Sequence, residues 1–146
     1  MHKKDLAIAC FKSGYNCSQS VISIFGPELG LEAELAYRVA GAFGGGMGRR
    51  GETCGAVTGA FMVIGLKYGA VDGSDKAARD KAYAVLNDFA ERFEARNGSL
   101  RCNDLLGVDI STAAGREHAQ QEGRFDKLCP KYVGDAVEIL EEILPE

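Results

Sequence analysis

Five cysteines, Cys10, Cys17, Cys54, Cys102 and Cys129, are the residues of this chain best suited to chemistry. A thiolate is both a nucleophile and a soft metal ligand, so cysteines serve thiol–disulfide exchange, metal binding or plain burial. Four of the five fall where a helix is expected to begin. Cys17 follows the N-cap candidate Asn16, Cys54 follows Thr53, Cys102 lies three residues after Ser99, and Cys129 directly precedes Pro130. Unpaired N–H groups and the helix dipole at such positions favour thiolate over thiol. The pattern predicts four activated sulfurs in one site, on condition that the helix starts converge in space. Cys10 lies mid-helix beside Leu6 and Phe11 and reads as a small buried apolar residue.

Other constellations carry less. Eight glycines fall between Gly41 and Gly59, and Gly46-x-Gly48-x-x-Gly51 matches the letters of a dinucleotide fingerprint. That fingerprint takes its meaning from a preceding strand, whereas the segment before it here is helical, and no Walker lysine follows. Two readings remain for the loop. Its glycines permit positive φ and close backbone approach. Alternatively, its N–H groups with Arg49 and Arg50 form a positive rim around an anionic centre. His2 and His118 read as surface residues with no Ser/Asp partnership, so a hydrolase triad has no support. Glu52 is placed to cap the helix of Cys54 or to take its proton.

These residues are held by helices. Apolar positions at steps of three and four mark Ser74–Arg96, through Ala78, Ala82, Val85, Phe89 and Phe93, with Ser74 as N-cap and Asn97-Gly98 as stop. Val133, Ala136, Val137, Leu140, Ile143 and Leu144 form the stripe of a last helix, with Pro130 at its first position. Earlier helices are expected over Lys4–Lys12, over Asn16–Phe25 with a capping box to Gln19, and over Leu31–Ala42 with Leu35, Val39 and Ala42 inward. Cys54–Tyr68 is apolar nearly all round, as a central buried helix must be. Ser99–Leu106 and Ser111–Glu122 complete the set. No run alternates with period two, so the expected fold is all-α: one domain over residues 1–146, a bundle of about seven to eight helices with a glycine-rich interhelical loop.

Composition bounds the rest. The 146 residues carry 17 Lys+Arg against 21 Asp+Glu, with 46% hydrophobic and 26% charged residues, as in an ordinary globular domain. Mild acidity argues against non-specific nucleic-acid binding. The longest uncharged apolar stretch, Cys54–Leu66, has 13 residues, against roughly 20 for a membrane span. No membrane insertion is expected. An odd number of cysteines without an export signal points to the cytoplasm rather than a secreted disulfide framework.

Cys54-Gly-Ala-Val-Thr-Gly59, preceded by Cys17 and followed by Cys102 and Cys129, together with Ala42-Phe-Gly-Gly-Gly-Met-Gly-Arg49, resembles the C_GCAxxG_C_C family of redox-active proteins across nearly the whole chain. Here the order is CGAxxG, with the cysteine ahead of the glycine. The resemblance implies a bacterial redox protein, of a family often encoded beside transporters. A related domain occurs in some multihaem cytochromes associated with iron–sulfur centres, but this chain has no CxxCH for covalent haem.

Three functions follow as expectations. In the first, an electron-transfer protein uses Cys17, Cys54, Cys102 and Cys129 to ligate a [2Fe–2S] cluster, or zinc in its place, although the CxxC pairs usual in zinc sites are absent. In the second, a cofactor-free thiol oxidoreductase attacks with Cys54 and resolves with another cysteine such as Cys17. In the third, a transporter-associated protein binds a metal or small anion beneath the glycine loop. Gly46, Gly48, Arg49, Gly55 and Gly59 are the cofactor-contact candidates, since Gly55 and Gly59 leave room beside Cys54 for a cofactor or another helix. The redox partner is unspecified, and a homodimer is compatible with the glycine-rich surface and apolar helices.

Overall fold

The computed structural model describes residues 2–145. Among them are α1 (Lys3–Lys12), α2 (Cys17–Phe25), a 3-10 turn (Pro27–Leu29), α3 (Ala33–Val39), a glycine turn α4 (Gly44–Met47), α5 (Gly55–Tyr68), α6 (Lys76–Asn97), α7 (Cys102–Leu106), α8 (Ala113–Gln121) and α9 (Arg124–Ile143). The described residues form no strand; the one β-type contact is an isolated antiparallel bridge between Thr53 and Arg101. The all-α expectation holds, with eight helices besides the glycine turn. Among the described residues no helix is long and apolar enough to cross a membrane.

The apolar α5 is the axis of the core. Its residues Gly55–Ala60, Val63 and Ile64 are buried, with α2 on one side and α6 and α9 on others. Gly55 and Gly59 set the α2 distance. A Cβ on Gly59 would stand 2.7 Å from the carbonyl oxygen of Ser18 and 3.0 Å from Cβ of Val21, and one on Gly55 would stand 3.0 Å from Cβ of Cys17. The small pair is therefore used for close helix packing. Asn16 caps α2 through the expected capping box with Gln19, and Gly98, at φ 87°, ends α6 as expected.

On the far side, Phe89 and Phe93 of α6 are fully buried, and Phe93 lies 6.3 Å from the ring of Tyr132 on α9. Arg96 bridges the same two helices through Glu142 at 2.7 Å and Glu138 at 3.2 Å.

Several element details differ from the sequence expectation. The last helix starts at Arg124, after Gly123 in left-handed conformation (φ 67°), and Pro130 lies inside it. Proline removes one hydrogen bond, to the carbonyl of Asp126, and the residues before it are good helix formers that continue the helix back to Gly123. α3 is shorter than Leu31–Ala42 and turned differently: Ala36 and Ala40 are buried, while Leu35 and Val39 remain 45% and 52% exposed. Small residues face inward here because α3 lies close to α2. Caps shift too. Asp75, not Ser74, caps α6, and Thr112, not Ser111, caps α8.

Candidate functional site

The four cysteines meet. Cys17, Cys54, Cys102 and Cys129 all line one cavity of about 90 Å³, closed by Phe11, Leu105, Leu106, Phe125 and Tyr132 and by the backbone of Gly45, Gly46 and Gly55. Each cysteine is at most 9% exposed. Cys10 is elsewhere, half-buried with its sulfur 3.8 Å from the hydroxyl of Ser23.

Three of the four sulfurs are delivered by helix starts, as expected. Cys17 is the first residue of α2, Cys54 is the N-cap of α5, and Cys102 opens α7. Cys129 is the exception, since it lies in the second turn of α9, directly before Pro130.

Cys54 and Cys102 are brought together by a feature with no periodic signature. The Cys54 N–H donates to the carbonyl of Leu100 at 2.8 Å, and the Cys102 N–H donates to that of Glu52 at 2.6 Å. Thr53 and Arg101 stand opposite one another in this short antiparallel pairing. Alternation along each segment then puts the following residues, Cys54 and Cys102, on the same face. Glu52 does not cap the helix: its carboxylate is directed to Arg101 at 3.7 Å.

The glycine loop forms the roof. Gly45, Gly46, Met47, Gly48 and Arg49 all have φ between 63° and 69°. Five successive left-handed residues make a turn of the wrong hand for L-amino acids, which explains three glycines in the run and leaves Met47 and Arg49 strained. Gly46 is buried against α7: its Cβ would lie 2.6 Å from that of Cys102. The loop's N–H groups are used internally, with Met47, Arg49, Arg50, Gly51 and Glu52 each donating to a backbone carbonyl. The cradle of free N–H groups raised as one reading of the loop is therefore missing at these five positions. The fingerprint Gly46-x-Gly48-x-x-Gly51 serves a tight reversal, with no strand before it.

Helix-start placement does not activate three of the thiols. Burial pushes Cys54 and Cys102 each up to about 12, because an apolar cavity penalises the charged form more than helix N–H groups favour it. Cys17 is raised well above the usual thiol value, first by its hydrogen bond with Cys129 and then by burial. Cys129 is lowered, because Cys17 donates to it. Cys129 is thus the first of the four to ionise, although it lacks the helix-start position.

Four soft sulfur donors in one apolar cavity suit iron–sulfur or zinc chemistry by donor type. Among the described residues, no group of three or more His, Cys, Asp or Glu is arranged around a single metal ion. Of the other candidates, Gly46 and Gly55 line the thiol cavity, Gly48 and Arg49 line a groove outside it, and Gly59 contacts α2.

A family model described as "Putative redox-active protein (C_GCAxxG_C_C)" matches residues 15–143. That span contains the four cavity cysteines and leaves Cys10 outside. Comparisons with curated proteins and with solved structures returned no match. With the match covering most of the chain and all four thiols of the cavity, this protein belongs to the C_GCAxxG_C_C family of redox-active proteins.

Proposed function

We propose that Cys17, Cys54, Cys102 and Cys129 act as one redox site, holding a [2Fe–2S] cluster for electron transfer. The observation behind this reading is that four thiols from four separate helices line a single small apolar cavity. A cluster of two irons takes two sulfurs at each metal, so its ligands spread over a wider space than the tetrahedron of a lone zinc ion. When bound, the cluster would supply one-electron transfer.

The chain's own residues have definable parts in this reading. Cys129 gives up its proton first, and ligation by the others would require release of the protons held on Cys17 by Cys129 and by burial, and on Cys54 and Cys102 by burial. Phe11, Phe125, Leu105 and Leu106 keep water from the sulfurs. Gly46 and Gly55 line the cavity and let the glycine loop approach Cys102 and α5 approach Cys17.

The test is anaerobic isolation followed by absorption spectroscopy with iron, zinc and acid-labile sulfide analysis on one sample. Visible absorption with iron and sulfide in equal amounts, about two of each per chain, is expected. A colourless protein free of iron and sulfide overturns the cluster.

Cys17 and Cys129 line the same cavity and shift each other's thiol in opposite directions, which favours a second reading, cofactor-free thiol–disulfide exchange. There the Cys129 thiolate would attack a disulfide of the oxidant and expel one of its thiolates. Cys17, after losing its proton, would displace the second and leave a Cys17–Cys129 disulfide. Cys54, the first choice from sequence, is less suited to attack because its proton is held to about pH 12.

A further inference from the structure

An open groove of about 1200 Å³ lies directly outside the thiol cavity. The two share Phe11, Asn16, Gly45 and Phe125 as common walls, so one layer of residues separates the groove from the sulfurs. Its charge is the opposite of the molecule's. Lys12, Arg49 and Arg116 line it against the single carboxylate of Asp126, whereas the chain carries a net charge of −4. None of these three cations belongs to an ion pair among the described residues. Arg116 is held in place by the carbonyls of Ile110 and Ser111, at 3.1 and 3.4 Å. Arg49 is presented from a left-handed backbone at φ 67°, a conformation that costs stability and that glycine would adopt freely.

Aromatic surface accompanies the charge. Phe11, Tyr15 and Phe125 line the groove, and the ring of Tyr15 is already stacked on Tyr37 with centroids 4.2 Å apart. Guanidinium and ammonium groups recognise phosphate, and ring faces recognise flat conjugated systems. A concavity of this size takes a nucleotide-sized molecule better than a flat protein face.

We propose that this groove binds a phosphate-bearing electron carrier with a planar ring, a molecule of the flavin mononucleotide or reduced nicotinamide nucleotide type. The proposal rests on the redox reading of the thiol cavity for its purpose, and concerns binding alone.

The test titrates the full chain with flavin mononucleotide and with NADH, followed by ligand fluorescence. Saturable binding of at least one probe is expected, weakened roughly tenfold or more in the Lys12→Glu/Arg49→Gly variant. That variant places glycine where the backbone favours it, so a folding defect does not mask the result, and circular dichroism checks this. If flavin mononucleotide is the probe that binds, riboflavin, which lacks the phosphate, should bind roughly tenfold more weakly as well. Binding of neither probe at millimolar concentration overturns the proposal. So does binding unchanged in the variant, or inorganic phosphate binding as tightly as the probe. Repeating the titration in Cys17→Ser/Cys129→Ser separates the two readings. Retained binding by a chain without the thiol pair supports the groove whatever becomes of the cluster, and loss of binding there overturns the groove as an independent site.

Discussion

Cys102 stands where Gly46 would carry a side chain: a Cβ built on Gly46 lies 2.6 Å from Cβ of Cys102 and 2.6 Å from the amide nitrogen of Glu52. The glycine loop and the third sulfur are therefore fitted to each other. Gly46 also has φ 66°, so alanine there would be both strained and obstructed. Gly46→Ala is expected to destabilise by on the order of 3 kcal/mol, read from the urea midpoint. A stability within experimental error of the parent would contradict the geometry.

Two of the three glycines of α5, Gly59 and Gly65, predict opposite signs. Gly59→Ala forces α2 away, since its Cβ would meet the Ser18 carbonyl at 2.7 Å, and a loss of about 2 kcal/mol is expected. Gly65 has nothing within 4 Å, so Gly65→Ala should stabilise by about 0.5–1 kcal/mol through helix propensity. Thermal unfolding of the pair checks both signs.

Arg49 and Met47 are the two non-glycine residues in the left-handed run. Replacing either by glycine is expected to stabilise the fold by about 1 kcal/mol, because the Cβ clash with the following carbonyl disappears. Denaturant titration of Arg49→Gly, judged against Arg50→Gly, would expose an error if the two behave alike.

Alkaline pH should unfold the metal-free protein. Cys54 and Cys102 keep their protons to about pH 12 when folded, whereas an unfolded thiol ionises near its usual value of 9.0. The folded state binds more protons between these values, so stability falls as pH rises, by about 1.4 kcal/mol per pH unit for each group. Below pH 9 neither group contributes a slope. Stability measured from pH 8 to 11 in the parent and in Cys54→Ala should show a shallower alkaline decline in the variant.

Cys129 should dominate thiol reactivity. In a Cys10→Ser background, alkylation by iodoacetamide is expected to modify Cys129 first, with an apparent pKa below 9.0. Cys17→Ala removes the hydrogen bond that lowers it and should move the profile upward. Mass spectrometry identifying Cys54 as the first labelled residue would reverse the assignment.

Local signals made much of this molecule readable. The Asn16–Gln19 capping box, the Phe89 and Phe93 stripe, the Asn97-Gly98 stop and the apolar α5 depend on residues within a few turns of one another. The same locality explains the failures. Pro130 carries a local preference for a helix start, but the residues before it continue the helix to Gly123, and the prediction for Cys129 moved with it. Leu35 and Val39 look inward by periodicity, yet the close approach of α3 to α2 admits only Ala36 and Ala40.

The sequence by itself determined that four cysteines sit at or near helices separated by 37, 48 and 27 positions, because caps and periodicity are encoded within short windows. Only the tertiary structure decided that those sulfurs share one cavity, and which of them ionises first. The convergence depends on the pairing of Thr53 with Arg101 and on Gly59 admitting α2, contacts between residues remote in sequence. The order of ionisation depends on burial and on the partner across the cavity. Desolvation is a property of the assembled interior, and no window of sequence contains it.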